Sequence, residues 1–174
     1  MKVFEAIQGR RSIRRYQDKP VPTETLRQLI EAARWAPSAS NGQPWQFIIT
    51  TDREKRQRYA ASVRWAGFLP DAAAAIIVCA RFTRRSRPAP FTPALEYLCV
   101  QDTAAAIQNI LLAAHALGLG TCWIGDLNEE LLQEMFTIPQ EWVPVAIIAV
   151  GYPAEAPEPR PRHPLDEIIH WERF

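Results

Sequence analysis

Apolar residues recur along this chain with two different periods, and the switches between them mark out its elements. Residues 2–8 set Val3, Phe4 and Ile7 on one side of a short predicted helix that stops at Gly9. Over residues 23–35, Leu26, Leu29, Ile30 and Ala33 return at helical spacing, and Pro37 ends that helix at Ala36 by disfavouring helical geometry in the residue before it. Residues 47–50 and 74–80 are short apolar runs that predict strands, with a charged surface helix predicted over 52–63 between them. The longest helical pattern, 96–117, is alanine-rich and carries Ile107, Ile110, Leu111 and Leu112, so it expects burial on more than one side; Gly118 is placed to cap it in the left-handed conformation. A strand over 121–124, a helix capped by Asn128 and running through Phe136, and a buried strand over 143–150 complete the alternation. After Gly151 the chain becomes proline-rich and then carries only Leu165, Ile168 and Ile169 as an apolar set, which is too little to fold alone and predicts a tail lying across a partner subunit.

Composition narrows the classes. With 174 residues and 48% hydrophobic positions, one core and a single domain over 1–174 are expected, and no internal repeat appears. The 20 basic and 19 acidic side chains give a net charge of +1, which argues against a nucleic-acid-binding module and against general attraction to a membrane surface. No apolar run approaches the ~20 residues a membrane span requires, and the start lacks the apolar centre of a signal peptide. Cys79, Cys99 and Cys122 form no CxxC pair and read as inert core thiols in a reducing cytoplasm. His115, His163 and His170 have no spaced partners, so no metal site is expected.

Four segments could carry chemistry. In RRSIRRY (residues 10–16), guanidinium forks and a hydroxyl are crowded together in a way that suits a phosphomonoester, although a basic run alone equally describes a solvated surface. The loop APSASNGQPWQF (36–47) offers Ser38, Ser40, Asn41 and Gln43 on a backbone stiffened by prolines, suited to reading the edge of a heterocycle or simply to turning the chain. In GLGTCWIGD (118–126), a helix cap runs into a strand whose glycine end lets backbone amides approach a ring. The tail adds Arg160 and Arg162 in RPRHPL. Trp35, Trp45 and Trp142 read as packing residues, whereas Trp123 and Trp65 could line a slot.

Taken together, these segments resemble the nitroreductase family in order and spacing across nearly the whole chain: RRSIRRY its N-terminal RRSxR signature, APSASNGQPWQF its APSxxNxQPW loop, GLGTCWIG the segment beneath its flavin, and RPRHPLDEII its closing R-x-P-L stretch. The resemblance implies an α+β sandwich with a central, mostly antiparallel sheet flanked by helices, entwined as a homodimer with two FMN sites. It implies that Arg10, Arg11, Ser12 and Arg14 hold the FMN phosphate, ribityl chain and one ring edge, with Arg162 and Arg160 completing the phosphate site. Pro37, Ser38, Ala39 and Asn41 would come from the partner subunit, while Trp123, Ile124 and Gly125 would lie against the ring. NAD(P)H would be a transient co-substrate in a ping-pong cycle that reduces nitroaromatic, quinone or similar acceptors, without a catalytic side-chain nucleophile. The lack of a G-x-G-x-x-G fingerprint agrees with a visiting nicotinamide. Some relatives have Asn and Lys where this chain has Trp65 and Phe68, so the cation near flavin N1 would have to come from Arg10 or Arg14. The same fold could instead support reductive dehalogenation, flavin fragmentation, ring dehydrogenation or non-catalytic FMN binding. The arginine- and proline-rich stretch 81–93 and Trp65 are candidate walls of the acceptor pocket.

Overall fold

Two strands that are apolar on both faces, β2 (Ala74–Arg81) and β4 (Trp142–Gly151), form the centre of a four-stranded sheet in the order β1-β2-β4-β3. The structure is a computed structural model that describes residues 2–82 and 95–174. Edge strands β1 (Trp45–Thr50) and β3 (Gly120–Ile124) pair with β2 and β4, and all three pairings are antiparallel. Strand β4 holds Pro144, which has no N–H to give to the ladder. At that point the register slips, Val78 facing Ala146 and Cys79 facing Pro144, so that Val145 bulges out.

Strand periodicity divides the core in two. Ala74, Ile76 and Val78 of β2, with Ala146, Ile148 and Val150 of β4, face α2 (Thr23–Arg34) and α4 (Leu95–Ala116). Their alternates Ala75, Ile77, Cys79, Ile147 and Ala149 face α3 (Arg53–Ala60) and α5 (Glu129–Phe136). A sheet covered on both faces explains the unbroken apolar runs. The remaining helices are α1 (Val3–Gly9) and α6 (Leu165–Ile168). The sandwich is thus α+β, as the family resemblance implies.

The expected stop signals operate with small shifts at the ends. Gly118 takes φ +75° after α4, and Leu119 N–H donates back to Ala114 O. Asp52 caps α3 through the amides of Glu54 and Lys55, and Asn128 caps α5 through that of Leu131. We expect Asn128→Ala to lower stability by about 1 kcal/mol, read as a lower urea midpoint at unchanged slope.

Two expectations are corrected. Trp35 is 76% exposed rather than packed, because it lies just past the apolar stripe of α2, where its Nε1–H donates to Glu31. The helix expected to be a charged surface element, α3, buries Arg56 together with Tyr59. The candidate pocket wall 81–93 lies, beyond residue 82, outside the described residues. From Glu158 onward every residue is exposed.

Candidate functional site

The N-terminal arm is brought to the sheet edge by backbone pairing. Ser12 bridges Thr121 in parallel, Ile13 N–H donates to Thr121 O at 2.8 Å, and Tyr16 bridges Pro153. The close approach depends on Gly120, since a methyl there would lie 2.8–2.9 Å from three carbons of Ile13. The C-terminal segment then folds over the arm: Gln17 N–H donates to Tyr152 O, and Ala154 N–H donates to Arg15 O. The amides of Arg14 and Arg15 both donate to Oε1 of Glu155. One carboxylate therefore fixes the backbone of the arginine run while leaving its guanidinium groups to point elsewhere.

These pairings gather both ends of the chain around a cavity of about 680 Å³ lined by Arg10, Arg11, Ser12, Arg14, Arg160 and Arg162, with Glu155 and Glu158 as its acids. Among the described residues, no ion pair ties up any of the five arginines. Arg11 Nη1 donates to the carbonyls of Gln8 and Arg10, and Arg162 Nη1 donates to those of Arg160 and Pro161, which aims both forks locally. Five cations, none paired with a carboxylate among the described residues, and one serine hydroxyl form a donor set for a multiply charged oxyanion such as a phosphomonoester. The Arg14 guanidinium also sits 5.8 Å from the centroid of Phe68, so a cation stands beside that ring.

The loop bearing Pro37, Ser38, Ala39 and Asn41 does not line this cavity. It is held rigidly nonetheless: Ala39 N–H donates to buried Asp102 of α4, Gln43 N–H donates to Ser38 Oγ, and Ser40, Asn41 and Gln43 all adopt positive φ near 50°. Three left-handed non-glycine residues in so short a span are costly, and such strain concentrates at functional loops. Trp123, Ile124 and Gly125 end β3, beyond the Ser12–Thr121 bridge. Trp123 is 40% exposed, Ile124 is buried against the sheet and Gly125 is exposed. Gly125 lies ~13 Å along the strand from Thr121, so only an elongated ligand could meet both the arginines and the strand end.

Two contributors escaped the sequence reading. Asp102, which anchors the 36–47 loop, is a buried acid within α4, and Glu155 is the first acid after the last strand. Burial pushes the Cys79 thiol up to about 11 and raises Cys122, which Arg14 and Arg10 pull partly back. Burial, aided by Cys122 and Glu155, holds the Tyr16 hydroxyl far above the ordinary phenol range, where it donates to Ile13 O. Neither the thiols nor this phenol is set to ionise near neutral pH. Among the described residues no cluster of His, Cys, Asp or Glu could hold a metal, and no helix is long and apolar enough to cross a membrane.

The fold is that of a class of oxidoreductases. The nitroreductase family model matches residues 7–152. The chain is 39% identical to a Methanothermobacter thermautotrophicus protein whose name pairs NADH dehydrogenase with NAD(P)H nitroreductase, over all of this chain and 88% of that one. It is 31% identical to the FMN reductase [NAD(P)H] of Bacillus subtilis, over 99% of this chain and 74% of that one. A solved nitroreductase family protein from Clostridium difficile 630 superposes with a TM-score of 0.84 at 29% identity, covering all of both chains. The chain belongs to the nitroreductase family and is an NAD(P)H-dependent oxidoreductase that uses FMN.

Proposed function

We propose that this chain binds FMN, takes hydride from NAD(P)H and passes electrons to a nitroaromatic, quinone or similar small acceptor, working as a homodimer in a reducing cytoplasm. The observation that carries the reading is the convergence of five arginines, from both ends of the chain and without ion-pair partners among the described residues, on one cavity. Arg10, Arg11, Ser12, Arg160 and Arg162 would hold the phosphate and ribityl oxygens. Arg14, steadied over Phe68, would present positive charge to the ring edge, stabilising negative charge that develops there. FMN, when bound, supplies the hydride-accepting and electron-donating chemistry.

The chain's own contribution is position and access. Glu155 holds the arm, Thr121 sets its register, and Trp123, Ile124 and Gly125 would flank the flat ring, with amides at the strand end available to its polar edge. Pro37, Ser38, Ala39 and Asn41, preformed by Asp102, would reach the ring from a second copy. The apolar side of α1 favours such a copy, with Val3 62% and Phe4 71% exposed, as does the tail, where Leu165 and Trp171 are exposed at 68% and 82%. Apolar surface of this kind is normally covered by a partner. Donor and acceptor would use one slot in turn, which is the ping-pong order.

The test is anaerobic stopped-flow. Protein loaded with FMN and mixed with NADH or NADPH should lose its flavin absorbance within seconds and regain it on addition of a nitroaromatic or quinone. A yellow protein that never bleaches is a flavin-binding protein without this activity. Sedimentation should find a dimer, and a fully stable monomer in dilute solution would contradict the two-copy site.

A further inference from the structure

A second cationic cavity, of about 510 Å³, lies between residues 14–20 of the arm, the first turns of α3 and the 3-10 turn at Leu69–Asp71. Arg14, Arg15, Lys19, Arg53 and Arg56 line it, against only Asp18 and Asp71. Asp71 is already engaged, 3.8 Å from Arg53, and Lys19 Nζ sits 3.9 Å from the ring centroid of Tyr152. Arg14 is the one arginine this cavity shares with the site described above.

Arg56 singles this cavity out. It is 5% exposed, and its Nε and Nη1 are buried without any hydrogen-bond partner. Asp52, the acid that partly offsets its charge, accepts the amides of Glu54 and Lys55 at Oδ1 and makes no hydrogen bond to the Arg56 Nε or Nη1. Arg56 lies on the inward face of α3, beside buried Tyr59. A buried guanidinium with orphaned donors is expensive, and the expense is recovered only when an anion is present. Burial lowers the Arg56 pKa, the neighbouring Arg53 charge adds to the lowering, and Asp52 only partly opposes it.

We propose that this cavity binds the phosphate group of a small molecule, with Arg56 as its buried anchor and Arg53, Arg15 and Lys19 closing around it. Guanidinium forks in excess over carboxylates select a tetrahedral, multiply charged oxyanion over a monoanion. The group could come as free phosphate or as the 2′-phosphate that distinguishes NADPH from NADH. The second source rests on the function proposed above, because the cavities adjoin at Arg14.

The experiment compares flavin-loaded wild type with Arg56→Leu in chloride and in sodium phosphate at matched ionic strength. Phosphate at a hundredfold over its Kd should raise the wild-type unfolding midpoint by roughly 5–11 °C. Arg56→Leu should match or exceed the wild-type midpoint in chloride, keep its flavin absorbance, and lose the phosphate increment. Should Arg56→Leu not fold, Arg53→Gln with Lys19→Gln, both at exposed positions, must reduce the increment. No wild-type increment beyond chloride, or an increment undiminished in the variants, overturns the proposal. Steady-state kinetics then separate the sources. A KM for NADPH raised about tenfold in Arg56→Leu, at unchanged KM for NADH, assigns the phosphate to the dinucleotide. Lost increment with both KM values unchanged assigns it to free phosphate. A wild type that responds to phosphate yet never bleaches with NAD(P)H would count against the proposed function and leave this cavity standing.

Discussion

Protein carrying Arg14→Ala together with Arg162→Ala is expected to purify largely colourless, while wild type purifies yellow. The two guanidinium groups come from opposite ends of the chain and line the same cavity, and neither has a carboxylate partner among the described residues. A hydrogen bond to a charged group is worth about 1.5–3 kcal/mol, so losing two of them weakens phosphate binding by ~3–6 kcal/mol, or roughly a hundredfold to ten-thousandfold in Kd. The fold should survive, because neither side chain supports the core and the arm is held by backbone bonds to Thr121 and Glu155. Circular dichroism of the colourless protein should therefore match wild type. Full retention of FMN, read from the visible spectrum, would remove both arginines from the site.

How much of this was legible in the sequence depends on the range over which each feature is determined. Local features came through well. The apolar runs of β2 and β4, the glycine stop after α4 and the Asn128 cap are set by neighbours within a few residues, where steric preference and periodicity act. The arginine cavity was legible only through resemblance. No local rule brings Arg14 beside Glu155, 141 residues away, or places Ser12 beside Thr121. Periodicity reported which face of a helix turns inward but not what that face tolerates. Arg56 occupies an inward position of α3 and was lost among the charges around it, and Trp35 was assigned to packing by residue type although it follows the last inward turn of α2. Asp102 and Glu155 have in common that each is a carboxylate accepting backbone N–H groups from a distant loop. Their identity matters through partners that sequence distance conceals.

The second large effect is expected at a residue outside the arginine-lined cavity. Gly120→Ala places a methyl 2.8 Å from Ile13 Cγ1 and 2.9 Å from its Cβ and Cγ2, closer than carbon atoms approach. Ile13 is buried and its Cβ cannot swing aside, so the arm itself must move, stretching the 2.8 Å bond from Ile13 N–H to Thr121 O and the Ser12–Thr121 bridge. Overpacking of this kind costs about 1–3 kcal/mol and should lower the midpoint of thermal unfolding by roughly 2–12 °C. Flavin affinity should fall with it, since Arg10, Arg11 and Arg14 keep their positions only while the arm is seated. Gly67→Ala is the matched control: nothing lies within 4 Å of an added methyl there, so the change should stay within about 0.5 kcal/mol of wild type and keep its colour. If Gly120→Ala proved as stable and as yellow as Gly67→Ala, the packing of the arm on β3 would not be what presents the arginines.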